Sequence, residues 1–127
     1  MYYKFNRRET ITEMKHLLIG LFLTLIGQIL IFFQTNGQFF IPWFKRHPII
    51  VSIIFGSTVS YIFINGTQQM VTYFGGHIWE SRLLGFGMGM VTFGLLTNFF
   101  MGEGMNTKTI VSLTLALSVV LIQVLWK

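Results

Sequence analysis

The sequence contains no cysteine, so disulfide bonds, thiolate metal sites and cysteine nucleophiles are all excluded. Charge is also scarce, because 10% of the residues are charged, against roughly 25% in soluble domains. Apolar residues make up 53% of the 127-residue chain, and aromatic residues make up 17%. A water-soluble fold of this size cannot bury so much apolar surface, and the length suits one domain only. We therefore predict a single membrane domain covering residues 1–127.

Acidic residues are the scarcest charged group. The four that are present, Glu9, Glu13, Glu80 and Glu103, all lie outside the middle of the apolar segments. The sequence therefore offers no proton or cation relay at membrane depth. The three histidines lack the spacing of metal ligands, and no glycine-rich phosphate loop, Ser/His/Asp set or carboxylate pair is found. We predict that the protein is not an enzyme and holds no metal ion or cofactor.

Four apolar segments are each close to the ~20 helical residues that cross the hydrocarbon core. They cover residues 17–33, 48–64, 83–101 and 109–126. Backbone amides in lipid must be hydrogen-bonded within their own segment, and four segments are too few for a barrel. We therefore predict an all-α bundle of four transmembrane helices. The first segment has no small-x-small cleavage site after it, so we expect an uncleaved span rather than a signal peptide.

The segments between the spans predict the topology. We expect loops at residues 35–47 and 66–78 and a short turn at 102–106, so neighbouring helices should run antiparallel. The positive-inside bias predicts cytoplasmic termini in a multi-pass inner-membrane protein, and the expected partners of the cations are membrane lipid headgroups, not nucleic acid. The cations number six on the side of the termini and three on the other: Lys4, Arg7, Arg8, Lys15, Arg82 and Lys127 against Lys45, Arg46 and Lys108.

Small and hydroxyl-bearing residues form a stripe on each predicted helix, since residues four apart share one face. In lipid, small side chains let helix backbones approach closely. Ser52, Gly56, Gly85 and Gly89 are therefore predicted helix-packing positions. Such stripes also suit the lining of a substrate path, and the pattern leaves both interpretations open.

Gln28 is the most informative polar residue, because it lies near the middle of the first span and an amide facing lipid would leave its hydrogen bonds unmade. We expect it to face the bundle or a cavity, either in a hydrogen bond between helices or toward a substrate. Hydroxyl groups would complete a polar lining, and two aromatic residues would either pack or stack on the substrate. The candidate binding residues are Thr24, Gln28, Ser57, Ser60, Tyr61, Trp79 and Thr92.

Two stretches of the sequence carry a family resemblance. In the second half, Trp79 leads into a glycine-rich third span, and residues 98–106 read Asn-Phe-Phe-Met-Gly-Glu-Gly-Met-Asn before an aliphatic fourth span. In the first span, residues 25–28 read Leu-Ile-Gly-Gln. Together they resemble the small multidrug resistance proteins and the wider drug/metabolite transporter superfamily. The Gly-Gln pair is also similar to that of four-helix members that flip sugar-linked polyprenyl phosphates.

The resemblance implies a four-helix transporter that acts as a dimer, with a substrate path between the first three spans. On the same register, Thr24 stands where small multidrug transporters have a membrane-embedded glutamate. Because proton-coupled export of cations in that family uses the carboxylate, we expect a neutral polar or lipid-linked substrate instead. The alternative is a small non-transporting subunit that packs through its glycine and serine stripes within a larger membrane complex.

Overall fold

The computed structural model describes the backbone of residues 7–126 and the side chains of residues 14–126. Within that range the chain is helical and contains no strand. Four helices are long and apolar enough to cross a membrane, so the predicted all-α membrane fold with four spans is confirmed. The elements are α1 Arg7–Asn36, a 3-10 turn Gly37–Phe39, α2 Pro42–Arg46, α3 Pro48–Tyr73, α4 Ile78–Met101 and α5 Thr107–Leu125.

The helices begin and end at residues that suit a boundary. Pro48 opens α3, where its fixed φ fits the first turn and its missing N–H needs no partner. Helix α4 ends at Met101, and the next residue, Gly102, has a φ of 66°, in the left-handed region that favours glycine. Helix α5 begins after Asn106, whose side chain accepts a hydrogen bond of 2.9 Å from the Thr109 amide. These signals fix the short turn between α4 and α5.

The predicted loop at residues 66–78 is wrong for residues 66–73, because α3 continues to Tyr73. Gly66 and Met70 are buried against α1, and this packing keeps a polar stretch helical. The helix then ends before Gly75 and Gly76, which both adopt positive φ. The predicted loop at residues 35–47 likewise contains the short helix α2.

Helices α1 and α3 form an antiparallel pair that makes the largest contact in the fold. Gly20 of α1 lies against Met70, near the end of α3, and Gly27 lies against Phe63, two turns earlier in α3. Because the residue number rises along α1 and falls along α3 from the first contact to the second, the two helices run antiparallel. The glycines allow the two helices to approach closely.

Helix α4 runs parallel to α1 and antiparallel to α5. Gly89 of α4 faces Gln28 of α1, whereas Gly87, on another side of α4, faces Val120 of α5. Helices α3 and α4 contact each other much less than α1 contacts either of them. As a result, α1 lies between α3 and α4, and a gap remains between those two helices.

An aromatic cluster packs the end of the bundle that carries α2. Phe32 is buried at its centre and contacts Phe93 of α4 edge-on, with ring centroids 5.9 Å apart. Phe33 and Phe40 both contact Phe100, at centroid distances of 5.1 and 5.5 Å. Edge-to-face and offset pairs at these distances are favourable. The cluster therefore joins α1, α4 and the following loop at this end of the protein.

Candidate ligand-binding cavity

A cavity of about 800 Å³ lies between α1, α3 and α4. It follows from the helix arrangement, because α1 forms the floor while α3 and α4 stand apart as the two walls. Its volume falls within the ~300–1,000 Å³ that small-molecule sites occupy. The lining is mostly apolar, and its polar side chains come from all three helices: Thr24, Gln28, Ser60, Thr67, Ser81 and Arg82.

Gln28 makes a hydrogen bond between helices and also lines the cavity. Its Nε2 donates to the carbonyl oxygen of Gly85 in α4, at 3.3 Å. The amide also rests on Gly89, where an added Cβ would lie 2.9 Å from Oε1. Two glycines four residues apart thus leave room on α4 for one glutamine side chain. Gln28 therefore makes the predicted hydrogen bond between helices and lines a cavity, and its role toward a substrate stays a prediction.

Thr24 lies one turn before Gln28 and is 1% exposed. Its Oγ1 is buried and has no hydrogen-bond partner in the described part of the chain. Thr97 Oγ1 is also buried without a partner in the described part of the chain, whereas the exposed Thr35 bonds to its own helix, its Oγ1 donating to the Ile31 carbonyl at 2.9 Å. An unpaired buried hydroxyl costs about 1–3 kcal/mol. Thr24 therefore lines the cavity with its hydroxyl buried beside Gly66 of α3.

The structure brings three of the candidate binding residues together. Thr24 and Gln28 of α1 lie across the cavity from Ser60 of α3. All three were predicted from the helical spacing of polar residues in the apolar spans. Four others lie outside the cavity lining: Ser57, Tyr61, Trp79 and Thr92.

These four residues occupy other surfaces. Ser57 is exposed on α3, and the rings of Tyr61 and Trp79 are 72% and 71% exposed. Thr92 is buried, but it lines a separate apolar pocket of about 280 Å³ together with Val120 of α5. None of the four therefore shares a cavity wall with Gln28.

Some of the predicted helix-packing positions face another helix, and others do not. Gly85 and Gly89 both face α1. At Gly56 an added Cβ would lie 3.6 Å from Gln34 Nε2, which is an ordinary contact. Ser52 is exposed, and its hydroxyl donates to the Pro48 carbonyl of its own helix at 2.8 Å. The structure therefore places the tightest of these contacts at Gly89.

Three polar residues of the lining were not predicted. Ser81 is buried and lies one turn before Gly85, so extending the glycine stripe backwards by four residues identifies it. Thr67 was assigned to a loop that is in fact helical. Arg82 was assigned to lipid headgroups because the predicted span began after it. We call Thr67, Ser81 and Arg82 the mouth of the cavity, since they lie toward the end of α3 and the start of α4.

The cavity offers hydrogen-bond donors but no acidic group. Hydroxyls, an amide and a guanidinium line it, and no Asp or Glu does so among the side chains of residues 14–126. Those residues also contain no group of His, Asp and Glu side chains suited to a metal ion. Such a surface recognises polar, uncharged or anionic groups. Comparisons of the chain with protein-family models, with curated proteins and with solved structures find no match.

Proposed function

We propose that this protein is a small membrane transporter of the drug/metabolite type, which binds a neutral polar or lipid-linked molecule in the cavity and moves it across the bilayer. The observation that carries the proposal is the amide of Gln28 on the floor of the cavity, one turn after the lining residue Thr24. Polar groups facing a cavity at membrane depth usually serve a ligand pathway.

The gap between α3 and α4 supports a substrate with an apolar part. Ile64 of α3 and Ile78 of α4 line the cavity, and both are 69% exposed. The cavity therefore continues into the apolar outer surface of the bundle. A lipid-linked molecule can keep its chain at this surface while its polar part reaches Gln28.

Binding or transport fits the lining better than catalysis does. The polar side chains are hydroxyls, an amide and a guanidinium, and none of them is a general base near neutral pH. They suit the holding and orientation of a polar group. We therefore propose a transporter that has no catalytic residues.

Helix α5 is the least buried span. In its most apolar stretch of 18 residues 6% is buried, against 17–22% in the corresponding stretches of the other three spans. We propose that a second copy of the chain packs against this exposed helix and completes the transporter. In the alternative role, as a non-transporting subunit, α5 would contact a larger membrane protein. The mass of the purified complex separates a homodimer from a mixed assembly.

Binding of a neutral alkyl glycoside tests the proposed cavity. Gln28→Leu removes the amide from the floor, and we expect it to weaken binding about tenfold, which corresponds to the loss of one well-placed hydrogen bond. Native mass spectrometry of protein in a neutral polyoxyethylene detergent measures the bound fraction.

Thr58→Ala provides the control for that experiment, because Thr58 is exposed on α3 and its hydroxyl bonds only to the Ile54 carbonyl among the described residues. It should bind the glycoside as the unchanged protein does. Equal affinity in Gln28→Leu and Thr58→Ala would contradict a binding role for the floor.

Reporter fusions test the proposed orientation, with both termini in the cytoplasm of an inner-membrane protein. Six of the nine Lys and Arg residues lie on the side of the termini, so we expect a C-terminal alkaline phosphatase fusion to be inactive. The same reporter inserted at Gly104, in the open turn between α4 and α5, should be active. The reverse pattern would overturn the orientation, and equal activity at both positions would indicate dual insertion.

A further inference from the structure

We infer that copies of this chain pack head to tail in the membrane, with the outer face of α3 in one copy against the outer face of α5 in the next. This inference rests on the proposed function, in which a second copy covers α5, and it names the surface of that copy which makes the contact. Its basis is a tyrosine that faces outward at the middle of a span.

The outer face of α3 carries Ser57 and Tyr61, which are both exposed and lie one turn apart. Tyr61 is in the middle of the helix and its ring is 72% exposed, whereas Phe63, two residues on, faces α1. The neighbouring Thr58 returns its hydroxyl to its own helix, donating to the Ile54 carbonyl at 2.8 Å. A hydroxyl at the far end of a tyrosine ring cannot reach its own backbone in this way. In hydrocarbon it would lose its hydrogen bond, so this face favours contact with protein.

Helix α5 presents a complementary outer face. Val111, Thr114 and Leu115 are exposed along it, and the half-buried Ser118 lies one turn after Thr114. Thr114 Oγ1 donates to the Ile110 carbonyl at 2.8 Å, so its proton is engaged while its oxygen can still accept a hydrogen bond. Two small hydroxyl residues one turn apart also let a neighbouring helix approach closely. The face therefore offers the acceptor that a tyrosine hydroxyl needs.

The two faces match in depth. Three contacts fix the relative heights of the four spans, joining α1 to α3, α1 to α4 and α4 to α5: Gly27 to Phe63, Gln28 to Gly89, and Gly87 to Val120. Counting along the helices from these contacts places Tyr61 about level with Leu117, between Thr114 and Ser118. Helices α3 and α5 also point in the same direction. Because a tyrosine in a helix leans toward the N-terminus of that helix, its hydroxyl comes to the level of Thr114.

The contact joins different copies. Within one copy α1 lies between α3 and α4, and α5 packs on α4, so the two outer faces are at opposite ends of the bundle. Copies that share one orientation in the membrane keep the depth match. A contact between two different surfaces is heterologous, and it continues to further copies until a ring closes.

Disulfide trapping in the bilayer tests the contact, because the chain has no native cysteine. Ser57→Cys and Val111→Cys place one thiol on each outer face and leave Tyr61 and Thr114 intact. Molecular iodine enters the bilayer, oxidises two thiols to a disulfide and is reduced to iodide. We expect liposomes that contain both variants to form mixed disulfide dimers, identified by intact mass, and liposomes with either variant alone to form few. Leu95→Cys is the control partner for Val111→Cys, since Leu95 is 60% exposed on α4, and should give few mixed dimers.

The hydrogen bond is tested by Tyr61→Phe and Thr114→Val, each of which removes one hydroxyl and keeps the shape of the side chain. Each should weaken the association of copies about threefold to tenfold, and the double variant should lose little more than either single variant. Tyr73→Phe is the matched control, because Tyr73 is the last residue of α3, and it should associate as the unchanged protein does. Analytical ultracentrifugation in a density-matched neutral detergent measures the association.

The outcomes separate this inference from the proposed function. Disulfide dimers of Val111→Cys alone would overturn the head-to-tail contact and leave a second copy on α5 in a symmetric arrangement. Dimers of Ser57→Cys alone would overturn the contact with α5, and equal losses in Tyr61→Phe and Tyr73→Phe would overturn the hydrogen bond on which the inference depends. Mixed dimers no more abundant than with Leu95→Cys, together with the mass of a single chain, would overturn this inference and the second copy. Binding of the glycoside to the cavity would still stand as a separate result.

Discussion

Gly20→Leu is expected to abolish the stable fold. At Gly20 an added Cβ would lie 2.5 Å from Met70 Cγ, 3.1 Å from the Met70 backbone nitrogen and 3.2 Å from the Gly66 carbonyl oxygen. The Met70 side chain can rotate, but the α3 backbone cannot move without separating the two helices. Overpacking of this kind costs about 3 kcal/mol or more. The melting temperature and the size-exclusion profile of the purified protein in detergent measure the effect.

A matched pair of alanine variants tests whether the clash with the α3 backbone causes this loss of stability. Gly20→Ala places a Cβ against the α3 backbone, whereas Gly56→Ala places one 3.6 Å from the Gln34 amide, at ordinary contact distance. Both changes gain up to about 1 kcal/mol of helix propensity. We expect Gly56→Ala to retain or raise the melting temperature and Gly20→Ala to lower it. Equal melting temperatures would show that α1 and α3 do not cross closely at Gly20.

The second large effect is an expected absence of proton-coupled export of cationic drugs. An organic cation at membrane depth needs a compensating anion, and coupling needs a group that releases a proton. Thr24 and Gln28 supply dipoles without a titratable proton, and the cavity lining described in residues 14–126 contains Arg82 but no carboxylate. The site therefore repels the cation that the exchange requires.

Liposomes containing the purified protein decide this question, because no other subunit can then contribute an acid. An inward gradient of a quaternary ammonium compound should drive no more proton efflux than in protein-free liposomes. A pH-sensitive dye inside the liposomes reports the flux. Efflux that requires the protein and disappears in Gln28→Leu would contradict the account.

The spans were predictable because long apolar segments leave the backbone no alternative to a helix in lipid. The helical end of α3 was not predictable, since residues 65–69 read Asn-Gly-Thr-Gln-Gln, which is typical of a loop. Its helical form depends on tertiary packing, in which Gly66 lies within contact of Thr24 and Leu23. A sequence pattern does not contain that information.

The part of the candidate site on α1 was predictable from the polarity of its residues. Gln28 and Thr24 stand out because a polar group in an apolar span must face protein or a cavity. The rotation of α3 about its axis, which places Ser60 in the cavity and Tyr61 on the outside, depends on the packing of that helix on α1. Arg82 was not predicted to line the cavity, because a cation at the edge of a span has lipid headgroups as its ordinary partner.

Because the chain has no native cysteine, single thiols test the central claim, a hydrated cavity that holds a ligand. Ser60→Cys places a thiol in the cavity wall, and Thr58→Cys places one on the exposed side of the same helix, outside the lining. Maleimides react with the thiolate, which forms only where water is present. In a reconstituted bilayer, we predict that Ser60→Cys is labelled faster than Thr58→Cys and that a neutral alkyl glycoside slows the labelling of Ser60→Cys alone. Equal labelling rates at both positions, unaffected by the glycoside, would contradict the account.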